Sequence, residues 1–158
     1  MSARASGRRW VGRTPASVRG NRCFACGPLN GRGLRLDIQH DGAVTYAAFV
    51  PDEDWQGVAG VVHGGLVATV LDEVMAWELY GHDDFAVTAR LAVTYRQPVP
   101  IGEPLRATAQ LVEARRRARR VRAELRDRAG TVLAQAEALF MAVPQDREAE
   151  LRRRYPQD

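Results

Sequence analysis

"VVHGGLVATVLDEVMAW", residues 61–77, sets His63 and two glycines directly ahead of a run with helical periodicity. Two adjacent acids, Asp72 and Glu73, then fall inside that run. At about 100° per residue, Leu66, Val67, Val70, Leu71, Val74, Met75 and Trp77 fill one half of the helix, the face expected to pack on a sheet. Gly65, Ala68, Thr69, Asp72 and Ala76 occupy the opposite side, a strip of small residues around one carboxylate. A merely solvated face would more often carry Lys, Arg, Gln or Glu. Small residues instead let a second backbone or a thin ligand approach closely.

The glycines suit the helix start. First-turn N–H groups have no intrahelical acceptor, and the macrodipole adds partial positive charge there. Without side chains at Gly64 and Gly65, those donors stay open to a carbonyl oxygen that becomes an oxyanion. The same glycines would also serve a tight turn alone, and both explanations stand at this point. His63 is expected to orient this loop, with direct proton transfer as the less favoured role.

Outward from the helix, strand signals dominate. "GLRLDIQ" and "AVTYAAFV" flank the turn sequence "HDG" and predict a hairpin. After the helix, "AVTARLAVTYRQPV" places Val87, Ala89, Leu91, Val93 and Tyr95 on one side of a period-two strand and Thr88, Arg90 and Thr94 on the other. "PLRATAQLVEA" continues as a strand. "ARRRARRVRAELRDRAG" is rich in helix formers, but Val121, Ala123 and Leu125 alternate with charged residues and "DRAG" makes a turn. It is therefore read as strand, with "TVLAQAEALFMAV" returning beside it. Two strands, one long helix and four strands predict an α+β chain, an antiparallel sheet wrapped around a single central helix.

The ends differ in composition. Residues 1–20 are basic and small-residue-rich with no acid before Asp37, and are expected to be a flexible lead-in; an organelle transit peptide has a similar make-up. Residues 144–158 form a polar tail with room for one short helix. The domain is accordingly expected over residues 21–143.

At 158 residues the chain is one domain by size. Its longest mostly apolar stretch, residues 57–71, is shorter than the roughly 20 residues that span a bilayer. No apolar signal-peptide core is present, so a cytoplasmic protein without a membrane partner is expected. The net charge of +4 would suit nucleic acid, but all 23 basic residues are arginine. That one-sidedness points to coding bias in a GC-rich genome, and no nucleic-acid partner is expected.

Several chemistries are excluded by what the chain lacks. Without lysine there is no Schiff base and no phosphate-loop lysine. The only serines, Ser2, Ser6 and Ser17, lie in the lead-in, so there is no serine-nucleophile elbow. Two cysteines and three histidines leave little material for a metal, and no cofactor is expected. Cys23 and Cys26 form a lone CxxC, expected to be a reduced structural pair, with a metal or a redox pair less favoured. The arginines at 115–122 are expected to be a solvated hairpin, with phosphate binding as the lesser alternative.

Asp72 lies nine residues after His63, about 13 Å along the axis. A carboxylate cannot reach across that gap to a group held at its own helix start. If both ends serve one substrate, they come from different subunits, which a two-fold axis would provide twice.

"HGGLVATVLDE" (63–73) followed by "AVTARLAVTYRQPVPIGEPL" (86–105) resembles the hotdog-fold thioesterases of the PaaI-like group, and "CFACGPLNGRGL" (23–34) looks like the start of many members. The resemblance covers roughly residues 22–143. It implies a dimer, often a dimer of dimers, that hydrolyses acyl-CoA thioesters at the subunit interface. Carried over by position, it puts the oxyanion-hole amide on Gly64 with Gly65 beside it, the catalytic acid on Asp72, and a water-orienting hydroxyl on Thr88. The asparagine that some members carry six residues before the histidine is Gly57 here, and Gln56 is the nearest amide. Gln56, Gly57, Thr69 and Glu73 are expected beside the substrate, with Glu73 as the fallback acid. The expected function is acyl-CoA hydrolysis, with Asp72 as general base or, through an anhydride, as nucleophile. Its rivals are a hydroxyacyl-thioester dehydratase and a non-enzymatic acyl-CoA-binding protein.

Overall fold

The computed structural model describes residues 12–13, 22–82 and 84–154, with side chains for 22–82 and 84–150. One antiparallel sheet carries seven strands: β1 (Gly12–Arg13), β2 (Ile38–His40), β3 (Thr45–Phe49), β4 (Ala86–Tyr95), β5 (Leu105–Arg115), β6 (Ala118–Asp127) and β7 (Val132–Ala142). Their order across the sheet is β1-β2-β3-β5-β6-β7-β4. A single long helix, α1 (Gly64–Tyr80), lies against it, and a short second helix, α2 (Gln145–Arg154), closes the described chain. The α+β arrangement expected from the pattern is thus observed. Among the described residues no helix is long and apolar enough to cross a membrane.

The sheet curves around α1 because its inner face is small. Ala47, Ala107, Ala109, Ala123, Ala134, Ala136 and Ala138 are buried opposite Val67, Val70, Leu71, Val74, Met75 and Trp77 of the helix. Large side chains on one layer fill the space that alanines leave on the other, which is how an interior reaches close packing. Burying each large aliphatic residue contributes roughly 1.5–3 kcal/mol. The helical face predicted from periodicity is the buried one, except that Leu66 is only partly covered. Glu78 and Leu79, outside that expected set, are also buried.

Three local expectations need correction. The strand expected over "GLRLDIQ" pairs only from Ile38 onward, because the amides of Leu34 and Leu36 donate instead to Phe24 O (2.8 Å) and Ala25 O (2.9 Å). The lead-in expected to be flexible contributes β1, which pairs with Gln39 and His40; the rest of residues 1–20 lies outside the described residues. In β4, strict alternation fails: Thr88 pairs with Phe140 and Arg90 with Leu139, so Ala89 is an extra residue in a β-bulge. Val87 is therefore exposed, and not on the side of Leu91 and Val93, which pack on the core.

Candidate active site

The loop before α1 is built around His63. Its N–H donates to Trp55 O (2.8 Å), and its Nδ1 accepts from Gly65 N at 3.0 Å, so His63 caps the helix with its own ring. That bond places the ring proton on Nε2 when the imidazole is neutral. It also engages the Gly65 amide, so Gly65 N–H is not a free donor. Gly64 N–H makes no hydrogen bond among the described residues and is the open donor at the positive end of the helix. The hydroxyl of Tyr95, on β4, donates to Gly64 O at 2.6 Å and fixes the orientation of that peptide.

The neighbouring candidates serve this loop. A Cβ on Gly57 would lie 3.0 Å from His63 Cα, so the position that carries asparagine in some members of the resembled group packs against the histidine. Gln56 Oε1 accepts from Gly60 N (2.8 Å) inside the same turn, which leaves only its amide nitrogen without a role. Thr69 Oγ1 donates back to Gly65 O at 2.9 Å, the usual satisfaction of a threonine inside a helix.

Asp72 sits two turns further along α1. Thr88 Oγ1 donates to its Oδ1 at 2.9 Å. Burial raises the Asp72 carboxyl above its ordinary value, and the Thr88 hydrogen bond opposes the rise. The β4 bulge makes this contact: Thr88 before it and Tyr95 after it both face the helix, although seven positions apart they would fall on opposite faces of a straight strand.

Glu73 belongs to a different cluster. Trp77 Nε1 donates to its Oε1 at 2.9 Å, and Cys23 Sγ lies 3.7 and 3.6 Å from its two oxygens. The two cysteines are not joined in a disulfide. Burial first, then the Cys23 charge, pushes the Glu73 carboxyl up to about 7. Cys23 is lowered to about 5 by the hydrogen bond from Cys26, against burial and with help from the Cys26 and Ala25 amides. Cys26 is correspondingly raised by that bond, by burial and by Glu73. Periodicity showed Glu73 beside Asp72 but not that the two carboxylates face separate neighbours.

A buried polar knot went unnoticed in the sequence. Glu78 accepts from Thr45 Oγ1 (2.7 Å) and Leu111 N (3.3 Å), and His82 Nε2 lies 3.3 Å from it. The i,i+4 spacing of Glu78 and His82 was the available signal. The arginine hairpin is sorted as well. Arg119 pairs with Asp84, Arg120 with Glu113 (3.9 Å) and Arg122 with Glu137 (2.7 Å). Arg115 and Arg116, at the hairpin tip, have no ion-pair partner among the described residues.

Comparison with known proteins agrees with this architecture. The family model described as "Thioesterase superfamily" matches residues 59–134, the helix and most of the sheet. A curated relative, acyl-coenzyme A thioesterase THEM4 of Mus musculus, is 44% identical over 46 residues, which is 29% of this chain. The matched part is only 20% of that protein's length. The solved thioesterase superfamily protein RHA08564 superposes with a TM-score of 0.74 at 25% identity, covering 88% of this chain and 69% of that one. The PaaI protein of E. coli, from its phenylacetic acid degradation operon, shares the fold with a TM-score of 0.65 at 17% identity over 69% of this chain and 80% of its own. A Streptococcus pneumoniae thioesterase protein shares it at TM-score 0.65 and 14% identity, over 70% of this chain and 90% of its own in the coenzyme A complex. It has also been solved with an aspartate and, separately, a threonine sixteen residues later replaced by alanine. With its antiparallel sheet wrapped around one long helix the chain has the hotdog fold, and the thioesterase superfamily model is similar to it across that helix, over residues 59–134.

Proposed function

We propose that the protein is an acyl-CoA thioesterase whose sites are completed between two copies of the chain. The observation that carries this is the pairing of an open Gly64 N–H at the helix start with a desolvated Asp72 held by Thr88. Asp72 and Thr88 are sixteen residues apart, the same spacing as the two residues replaced in the Streptococcus pneumoniae protein. The coenzyme A complex of that protein and the acyl-coenzyme A activity in the name of the mouse relative support the substrate class.

In this mechanism the thioester carbonyl oxygen accepts from Gly64 N–H, whose donor strength grows as the oxygen becomes an oxyanion. Thr88 occupies one oxygen of Asp72, leaving the other to take a proton from water. The resulting hydroxide attacks the carbonyl carbon, and the tetrahedral intermediate collapses with loss of the CoA thiolate. His63 holds the loop through its Nδ1 and does not move a proton.

One subunit cannot supply both ends. Gly64 and Asp72 are about 12 Å apart along the helix axis, well beyond hydrogen-bond reach. A second copy placed two-fold across the small-residue strip would bring Asp72 of one subunit to Gly64 of the other. β4 suits such pairing. It is the sheet edge beyond β7 and exposes Val87 and Tyr95, and a long unprotected edge is a template for another strand.

Thiol release from a panel of acyl-CoA esters tests the proposal. Turnover by the wild type that is lost in Asp72→Asn is expected. Saturable acyl-CoA binding with no thiol release would make the protein a binding module instead. Activity that depends on His63 and not on Asp72 would favour a dehydratase-type site.

A further inference from the structure

We propose that Cys23, Cys26 and Glu73 form a zinc-class metal site that fastens the loop ahead of β2 to the central helix. The three side chains come from segments about fifty residues apart, yet their ligand atoms all lie within 4.8 Å of one another. Cys23 Sγ stands 3.6 Å from Glu73 Oε2. Two ligands on a tetrahedral zinc, with Zn–S near 2.3 Å and Zn–O near 2.0 Å, are separated by about 3.5 Å. The spacing already matches the edge of such a site.

The surroundings hold these three side chains in place. Gly27 N donates to Cys23 O at 2.9 Å, closing a tight turn over the CxxC, and a Cβ on Gly27 would fall 2.4 Å from Cys23 N. Only glycine fits there. The Ala25 and Cys26 amides point at the Cys23 sulfur, which suits a thiolate ligand. Trp77 Nε1 holds Glu73 Oε1 at 2.9 Å, which orients the carboxylate so that both of its oxygens lie close to Cys23 Sγ, at 3.7 and 3.6 Å. Three acidic groups this close repel one another when ionised, and a dication turns that repulsion into attraction. Two sulfur ligands select zinc over magnesium or calcium, and three protein ligands leave the fourth position for water. Asp72 faces Thr88, so this site is separate from the proposed hydrolytic one and does not depend on it.

The full-length chain, purified under reducing conditions and stripped with a chelator, is titrated with Co²⁺ and then Zn²⁺. One ion per chain is expected, with a thiolate-to-cobalt charge-transfer band, tetrahedral visible bands, and displacement of Co²⁺ by Zn²⁺. Cys23→Ser and Cys26→Ser should remove the charge-transfer band or weaken binding at least a hundredfold, with circular dichroism confirming the fold. Glu73→Gln should keep some thiolate band but bind Zn²⁺ at least tenfold more weakly. Zn²⁺ should also slow hydrogen exchange in the 22–36 loop of the wild type. The proposal is overturned by a folded, reduced wild type with no thiolate band. Unchanged Zn²⁺ affinity in Glu73→Gln, or thiols that alkylation shows to be joined as a disulfide in the freshly isolated protein, would overturn it equally.

Discussion

Thr88 Oγ1 donates to Asp72 Oδ1 at 2.9 Å across the gap between β4 and α1. The contact exists because Ala89 is an extra residue in the strand, which puts Thr88 on the same helix-side face as Leu91, Val93 and Tyr95. The proposed base is thereby anchored by a strand that also anchors Gly64.

Replacing Asp72 by Asn keeps its shape and removes its basicity. General-base loss is worth on the order of 10²–10⁴ in rate. Turnover should fall by that factor while KM changes little, measured by thiol release. Near-normal turnover in Asp72→Asn, with loss in Glu73→Gln, would move the base one residue along the helix.

The pH profile gives a second check. The base works deprotonated, and burial raises Asp72 above its ordinary 3.8, so activity should fall as pH drops through that raised value. The Thr88 hydrogen bond lowers the Asp72 pKa. Thr88→Ala should therefore shift the acid limb of kcat/KM to higher pH. An unmoved or downward-shifted limb would show that the hydroxyl does not stabilise the ionised base.

A shared site predicts complementation. Asp72→Ala chains and Gly64→Phe chains should each be inactive, and mixing them should restore activity because a heterodimer holds one intact site. No recovery, with subunit exchange demonstrated by mass, would mean that each chain carries a complete site.

Arg115 and Arg116 at the β5–β6 tip have no ion-pair partner among the described residues and are candidates to meet CoA phosphates. Replacing both Arg115 and Arg116 by Gln should raise KM several-fold with kcat unchanged, the pattern of lost uniform binding. The effect should shrink at high salt and vanish with a thioester lacking the nucleotide. Equal KM at low salt would leave the tip as a solvated turn.

Glu78 tests the fold instead of the chemistry. Glu78→Ala would strip acceptors from Thr45 Oγ1 and Leu111 N in the interior. Leaving buried donors without acceptors should cost about 3 kcal/mol. Denaturant unfolding followed by circular dichroism measures it, and a loss below 1 kcal/mol would mean that water replaces the carboxylate.

Much was legible without coordinates because it depends on short-range periodicity. The apolar stripe from Val67 to Trp77 reads as one helix face, and Val121, Ala123 and Leu125 read as one strand face despite the helix-forming arginines around them. The His63-Gly64-Gly65 run ahead of Asp72 marked the helix start and its acid. Thr88 was singled out by resemblance alone, since strict alternation placed it with Arg90 and away from Tyr95.

What only the tertiary structure decided is which neighbour each polar group meets. A single inserted residue reverses every side chain beyond it, and nothing in "AVTARLAVTY" marks Ala89 as that residue; pairing with β7 does. Gly65 N–H looked as open as Gly64 N–H until the His63 ring was placed over it. Glu73 and Asp72 are adjacent in the chain, but about 100° of helical rotation sends one toward Cys23 and Cys26 and the other toward Thr88. Periodicity specifies the face on which a side chain lies, because it is local. The partner waiting there comes from a distant segment, and only the packing of the sheet around α1 selects it.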